Sequence, residues 1–177
     1  RWADLVFLRA RNSRFNMSYI PKTVLITGAT GDFGRAFAQR FHDAGSSLLL
    51  HGRSQDKLDA LAVEFPGAQT ICFDLTDRAA IAAAMADLPP VELLINNAGG
   101  ALGGASADES ALEDWLAMIE MNNAALVAIT HPVLQNMSAQ RRGHIINIGS
   151  TAGIYPYPGG HVYCAVKAFV KQFSLAL

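Results

Sequence analysis

The chain holds 177 residues, 51% of them hydrophobic, which is enough for one domain with a well-buried core and too little to expect two. A formal net charge of −1, with acids and bases interspersed, leaves none of the clustered Lys and Arg that nucleic acid or an anionic membrane surface requires. No apolar run approaches the roughly 20 residues of a membrane span, so a soluble protein acting on small molecules is the expectation.

In chain order, residues 1–16 carry four arginines, no initiating Met and no sustained period of 2 or 3.6. They read as extraneous, with Met17 as the start and 17–177 as one domain. An Arg-rich targeting segment is the other reading of this stretch, opposed by Asp4 and by the lack of an amphipathic face. From Thr23 onward short apolar runs, expected as strands at 23–27, 47–51, 69–73, 92–95 and 144–148, alternate with helical patterns at 33–44, 55–64, 78–87, a long segment from about 109 to 139, and a last helix from about 160. Strands alternating with helices predict an α/β fold, a parallel sheet covered on both faces. The continuous runs Val24-Leu25-Ile26 and Leu48-Leu49-Leu50 suit strands buried on both sides. The end at Leu175-Ala176-Leu177 carries no stop signal and reads as a cut inside a helix. Cys72 and Cys164 lie far apart, without metal-ligand or disulfide spacing. They read as reduced thiols in a cytoplasmic protein, and no metal is expected.

After the first strand comes Thr27-Gly28-Ala29-Thr30-Gly31-Asp32-Phe33-Gly34 leading into a helix, the strand-turn-helix setting that a glycine fingerprint needs. Gly28 takes the tight turn, Gly31 admits a pyrophosphate, and Gly34 lets the helix pack close. The helix's free N–H groups and positive dipole end receive the phosphates. Thr30, Asp32 and Phe33 are assigned to cofactor contact with them. The next strand ends His51-Gly52-Arg53-Ser54, with no acid to bind the ribose 2′-hydroxyl of NAD; Arg53 and Ser54 are available to a 2′-phosphate, so NADP is favoured over NAD. Asp74, followed by Leu75, is placed to meet the adenine, while Thr76 or Asp77 caps the next helix. Asn97, Ala98 and Gly99, after the fourth strand, are small enough for close cofactor approach.

Tyr163-Cys164-Ala165-Val166-Lys167 heads the last helix, and i, i+4 spacing brings Tyr and Lys onto one face, roughly 5–6 Å apart at Cβ. An ammonium so near favours loss of the phenolic proton, which makes Tyr163 a candidate general acid/base. The preceding strand releases Gly149-Ser150 at its carboxyl end, where open α/β sheets place their ligands, and Ser150 is positioned to bond a substrate oxygen. No nucleophile elbow or His-Asp pairing accompanies Ser150, which excludes a hydrolase. Asn122 sits inside the long helical segment, where Asn is a poor helix former, and is expected to open the helix for a water. His161 and Tyr155-Pro156-Tyr157 are expected at the substrate entrance.

These residues, in this order, resemble the short-chain dehydrogenase/reductase superfamily, in its single-domain branch, over about 22–177. Within it, 143–153 and 168–175 resemble the NADP-dependent 3-hydroxy-acid dehydrogenases, serine 3-dehydrogenase among them. The resemblance implies a Rossmann-type doubly wound sheet in three α/β/α layers, with the family's last two strands missing here. It further implies that Tyr163 is the general acid/base and that Lys167 assists it and holds the nicotinamide ribose. Tyr163 and Lys167 thus count as cofactor-binding too; Ser150 positions substrate, and Asn122 supports a relay water. The implied reaction interconverts an alcohol and a carbonyl, on a small 3-hydroxy acid, in a homodimer or homotetramer. Two departures stand out. Asp32 occupies the place of the usual middle glycine, beside the phosphates, where it is repulsive unless it points away or caps the helix; Gly31 falls one residue early, a spacing like that of the longer two-domain branch. The chain also stops short. A non-catalytic NADP-binding scaffold, or an inactive fragment with its fifth strand's edge uncovered, are the alternatives.

Overall fold

The computed structural model describes residues 19–177; the reading of 1–16 and of Met17 lies outside the described residues. Five parallel strands, β1 (Thr23–Ile26), β2 (Ser47–Gly52), β3 (Gln69–Cys72), β4 (Leu93–Asn96) and β5 (His144–Asn147), form one sheet in the order β3-β2-β1-β4-β5. Six helices connect and cover them: α1 (Asp32–Asp43), α2 (Gln55–Glu64), α3 (Arg78–Ala86), α4 (Leu112–Ile119), α5 (Ala125–Ala139) and α6 (His161–Ala176). Short strands with alternate residues pointing to opposite faces explain both cores. Val24, Ile26, Leu48, Leu50, Leu93 and Ile95 pack with Ala38 of α1 and Leu58 and Leu61 of α2. Leu25, Leu49 and Leu94 turn the other way, onto Ile81 of α3 and Ala125, Ile129, Val133 and Met137 of α5. Each fully buried Leu or Ile contributes on the order of 2 kcal/mol, and because both faces need cover, the strands carry no polar alternation. No helix among the described residues is long and apolar enough to cross a membrane.

The order of strands reverses at β1, with β2 and β3 on one side and β4 and β5 on the other. The loops leaving the carboxyl ends of β1 and β4 therefore diverge, and a crevice opens between them. At the opposite end, Glu92 closes the sheet: its Oε2 accepts from the Lys22 N–H (2.9 Å) and the Tyr19 hydroxyl (3.0 Å), and Oε1 lies 3.2 Å from Arg142 Nε. Between the two ends runs a buried polar chain. Asn96 Nδ2 donates to Thr130 Oγ1 (2.9 Å) and Asn147 Oδ1 (2.8 Å), and Asn147 Nδ2 donates to Ser174 Oγ (2.8 Å). It ties α5 and α6 to the strand ends that carry the site.

Most boundaries fall within a residue or two of expectation, the ordinary fraying of element ends. One segment differs in kind. The expected single helix over 109–139 begins only at Leu112 and passes through a π-helical turn, Glu120–Ala124, before α5. There the Ala125 N–H bonds Glu120 O, five residues back. The physical reason is Asn122: its Nδ2 takes Met118 O (2.9 Å), the carbonyl its own backbone would use in an α-helix, and also Gly100 O (3.0 Å).

Gly34 sits in the first turn of α1, against the end of β1. A Cβ there would collide with the Gly28 carbonyl oxygen and lie 2.6 Å from Ala29 Cα, backbone that cannot rotate aside. Gly34→Ala is expected to cost about 3 kcal/mol through forced separation of helix and strand, read as a lower midpoint in denaturant unfolding with an unchanged slope.

Candidate active site

Two adjoining hollows occupy the carboxyl end of the sheet. The larger, a groove of about 470 Å³, is lined by Gly28, Thr30, Gly31, Asp32 and Phe33 from the first turn, and by His51, Gly52 and Arg53 from the tip of β2. Asp74 and Leu75 follow from β3, then Asn97 to Gly100, Leu102 and Met121. Of the expected cofactor residues it thus gathers Gly28, Thr30, Gly31, Asp32, Phe33, Arg53, Asp74, Leu75, Asn97, Ala98 and Gly99. Gly34 lies behind the turn, in packing; Ser54 is the N-cap residue of α2; Tyr163 and Lys167 lie outside its wall. Gly28 adopts a φ of +64°, and a Cβ on it would meet Ala98 Cα at 2.9 Å, so the turn and the β4 loop touch backbone to backbone. Asn97 fastens the two: its Nδ2 donates to Thr27 O and Gly28 O, both at 3.0 Å, while Thr27 Oγ1 accepts from the Asn97 and Ala98 N–H groups.

At the tip of β2, Gly52 has no side chain to fill the groove, and Arg53 follows, exposed, at its wall. Asp74 Oδ1 accepts from the Thr76 N–H and hydroxyl (both 2.8 Å), and these bonds hold its carboxyl below the usual range. The cap of α3 is Asp77, which accepts from the Ala80 N–H. Asp32 opens α1 in its first turn, where a negative charge meets the positive helix end. The N-cap is Gly31, so Asp32 is not the cap residue; it is exposed and lines the groove.

The second hollow, about 220 Å³, is walled by Ala101 to Gly104, Trp115, Met118, Tyr157 to Gly159, and His161, Val162 and Tyr163. Of the expected entrance residues, His161 and Tyr157 take part and Tyr155 and Pro156 do not. The His161 ring lies against Trp115, centroids 6.0 Å apart. One helical turn below Tyr163, Lys167 is only 6% exposed. Its Nζ lies 5.9 Å from the centre of the Tyr163 ring and donates to Ile148 O at 3.1 Å. Burial pushes the Lys167 ammonium down to about 8. Gly99 leaves the space above it: a Cβ there would fall 2.5 Å from Asn122 Oδ1 and 3.8 Å from Lys167 Nζ. Asn122 is buried and fixed to Gly100 from both sides, accepting from its N–H (3.2 Å) and donating to its carbonyl. Ser150, two residues beyond Ile148, caps the short 3₁₀ turn Thr151–Gly153 by accepting from the Ala152 N–H, and that turn packs on the Lys167 backbone.

The structure therefore brings Tyr163, Lys167, Asn122 and Gly99 together, with Ser150 on the adjoining turn. Sequence reasoning missed His51, Thr27 and Trp115. Thr27 carried a signal, a hydroxyl at the strand end just before the turn glycine, but His51 and Trp115 act through neighbours distant in sequence. Among the described residues no group of three His, Cys, Asp or Glu is disposed to hold a metal.

Residues 22–177 match the family model of short chain dehydrogenases. The chain is 48% identical over 159 residues to an NADP-dependent 3-hydroxy acid dehydrogenase of Salmonella typhi, covering 87% of this chain and 64% of that protein. It is 44% identical over 160 residues to a serine 3-dehydrogenase of Rhizobium radiobacter, covering 88% and 64%. It thus spans 64% of the length of these relatives. Among solved structures, serine dehydrogenase from Escherichia coli superposes with a TM-score of 0.81 at 46% identity, over 85% of this chain and 72% of that one. The closed form of serine dehydrogenase complexed with NADP+ gives 0.82 at 46%, over 85% and 63%.

A lysine whose folded-state value is depressed from 10.5 to about 8 by burial destabilises the fold wherever it is charged. As pH falls from 10.5 to 8 the unfolded chain takes up the proton first, so stability is lost across that window and stays lost below it. Lys167→Met, after the loss of one hydrogen bond, is expected to be more stable than the parent by about 2 kcal/mol at pH 7, with that advantage gone near pH 11. Denaturant unfolding at the two pH values measures both.

Proposed function

The chain belongs to the short-chain dehydrogenase family, and from that premise we propose that it is an NADP-dependent oxidoreductase interconverting an alcohol and a carbonyl on a small 3-hydroxy acid. The observation that carries the reading is the buried Lys167 Nζ beneath the Tyr163 ring, at the wall of a small cavity that adjoins a glycine-turned groove. The groove's residues fit a dinucleotide phosphate. The turn is open at Gly31, the β2 tip carries Gly52 where an acid would exclude a phosphate, and Arg53 stands exposed beside it. NADP, when bound, supplies or accepts the hydride.

The residues of the chain do the rest. Tyr163 gives its proton to the substrate oxygen in reduction and takes it back in oxidation. Lys167, buried beneath the Tyr163 ring and donating to Ile148 O, holds the nicotinamide ribose. Ser150 orients the substrate oxygen with its hydroxyl, and Asn122, locked to Gly100, keeps the π turn open beside Lys167 for a water that replenishes the proton. Trp115, Met118 and Tyr157 give the cavity its bulky walls. The acid substrate is supported by the 3-hydroxy acid dehydrogenase and serine 3-dehydrogenase relatives. A homo-oligomer is supported by exposed Leu112, Leu116 and Ile119 on α4, Val127 and Leu134 on α5 and Phe169 and Leu175 on α6. A cytoplasmic setting is supported by the free thiols Cys72 and Cys164.

Tyr163→Phe is expected to cut turnover of 3-hydroxy acids by roughly 10³-fold while NADPH binding, followed by nicotinamide fluorescence, stays within a few-fold; near-normal turnover defeats the assignment. Arg53→Ala is expected to weaken NADPH by about 10- to 100-fold and NADH little. Equal losses for the two cofactors remove the 2′-phosphate role.

A further inference from the structure

His51 is a histidine in an apolar strand, 2% exposed, yet it borders the groove. Its ring lies against Phe73, centroids 4.0 Å apart and planes tilted by 32°. Nε2 is 3.2 Å from Phe73 O, and Nδ1 is 3.3 Å from the Gly28 backbone nitrogen. A carbonyl can only accept and an amide N–H can only donate, so both contacts are satisfied by one state of the ring alone: neutral, with the proton on Nε2 and the lone pair of Nδ1 facing Gly28. Burial supports that state by pushing the imidazolium down to about 4. The charged groups at the surrounding strand ends are Asp74, Arg53 and Asp32. The His51 carbonyl also accepts from the Ala29 N–H at 2.8 Å. One residue thus holds two consecutive peptides of the turn, while Asn97 holds the Gly28 carbonyl from the other side.

We propose that His51 is a positioning residue for the dinucleotide turn: its neutral ring fixes the Gly28 N–H, and with it the backbone on which the cofactor's pyrophosphate rests. The inference rests on reading the groove as an NADP site. A glycine at a φ of +64° has wide conformational freedom, so the shape of this turn has to be imposed from outside, and His51 and Asn97 are the side chains that grip it. The contribution is geometric. A charged ring would draw phosphates, whereas this one is neutral and works by pre-forming the site.

Asparagine and glutamine separate the two contacts, because the Asn amide reaches the place of Nδ1 and the Gln amide the place of Nε2. H51N keeps an acceptor for Gly28 and loses Phe73 O; H51Q does the reverse. The measurements are amide hydrogen exchange of Gly28 by NMR in the free protein and the Kd of NADP+ by calorimetry. Expected is H51Q with Gly28 exchange about tenfold faster and NADP+ about tenfold weaker, and H51N within about threefold of the parent in both. Two variants that behave alike, either parental or equally impaired, overturn the proposal. The unmodified protein gives a check that needs no variant: imidazole ¹⁵N shifts at neutral pH should report the Nε2–H tautomer, and an Nδ1–H or charged ring overturns it. If the parent binds no NADP+, the functional reading of the groove fails, while Gly28 exchange and the tautomer still decide whether His51 holds the turn.

Discussion

A helix can approach the end of a strand only as closely as the side chains between them allow. At the head of α1 there are none: Gly34 lies against the Gly28 carbonyl, and Gly28 lies against Ala98. This backbone-on-backbone contact at the reversal of strand order makes the first turn shallow enough to border an open groove. The rest of the carboxyl end is arranged around holding that contact closed. Thr27 binds the β4 loop through its hydroxyl, Asn97 binds back to Thr27 and Gly28, and His51 reaches in from β2. Three strand ends are joined by side chains that each satisfy a backbone group at the turn, so that the absence of side chains at the glycines does not leave the loop free.

The second half of the site is built on the opposite logic. Lys167 is buried, and its ammonium is desolvated while it donates to Ile148 O. A core selected for stability alone would not keep it. Its neighbours Asn122 and Gly99 show the same preference for fixed polar geometry over apolar packing, since Asn122 gives up regular helix to bond Gly100 and Met118. Irregular backbone and buried charge accumulate where chemistry is proposed, while the clusters around Leu25 and Ile26 are apolar throughout.

What could be read from the sequence was whatever depends on near neighbours along the chain. Apolar runs such as Leu48-Leu49-Leu50 located the strands, α2 came out with its observed limits, and the i, i+4 pair Tyr163 and Lys167 shares a face because any helix would put it there. The glycine turn was legible because its strand-turn-helix setting is local. Illegible features rest on distant partners. A histidine ending an apolar strand reads as core, and only the approach of Phe73 and Gly28 makes His51 a clamp. The opening of the 109–139 helix was legible from Asn122, a poor helix former inside it, but the partner that fixes it, Gly100, lies some twenty residues earlier. Asp32 was legible as an anomaly, but that it is not the cap depends on the backbone at Gly31, which takes the N-cap place.

The π-helical turn at Glu120–Ala124 also sets the phase of the helix beyond it. A π turn carries more residues than an α turn, so α5 resumes rotated about its axis relative to a straight continuation of α4. That offset lets Trp115 and Met118 line the small cavity while Ala125, Ile129, Val133 and Met137 lie flat on the sheet; one uninterrupted stripe would have to choose between these surfaces. Angular register of this kind is quantised by residue count. Substitutions on either flank of the turn leave it untouched, whereas insertion or deletion of a single residue resets it, so the length of this segment is itself a structural determinant alongside the residues that occupy it.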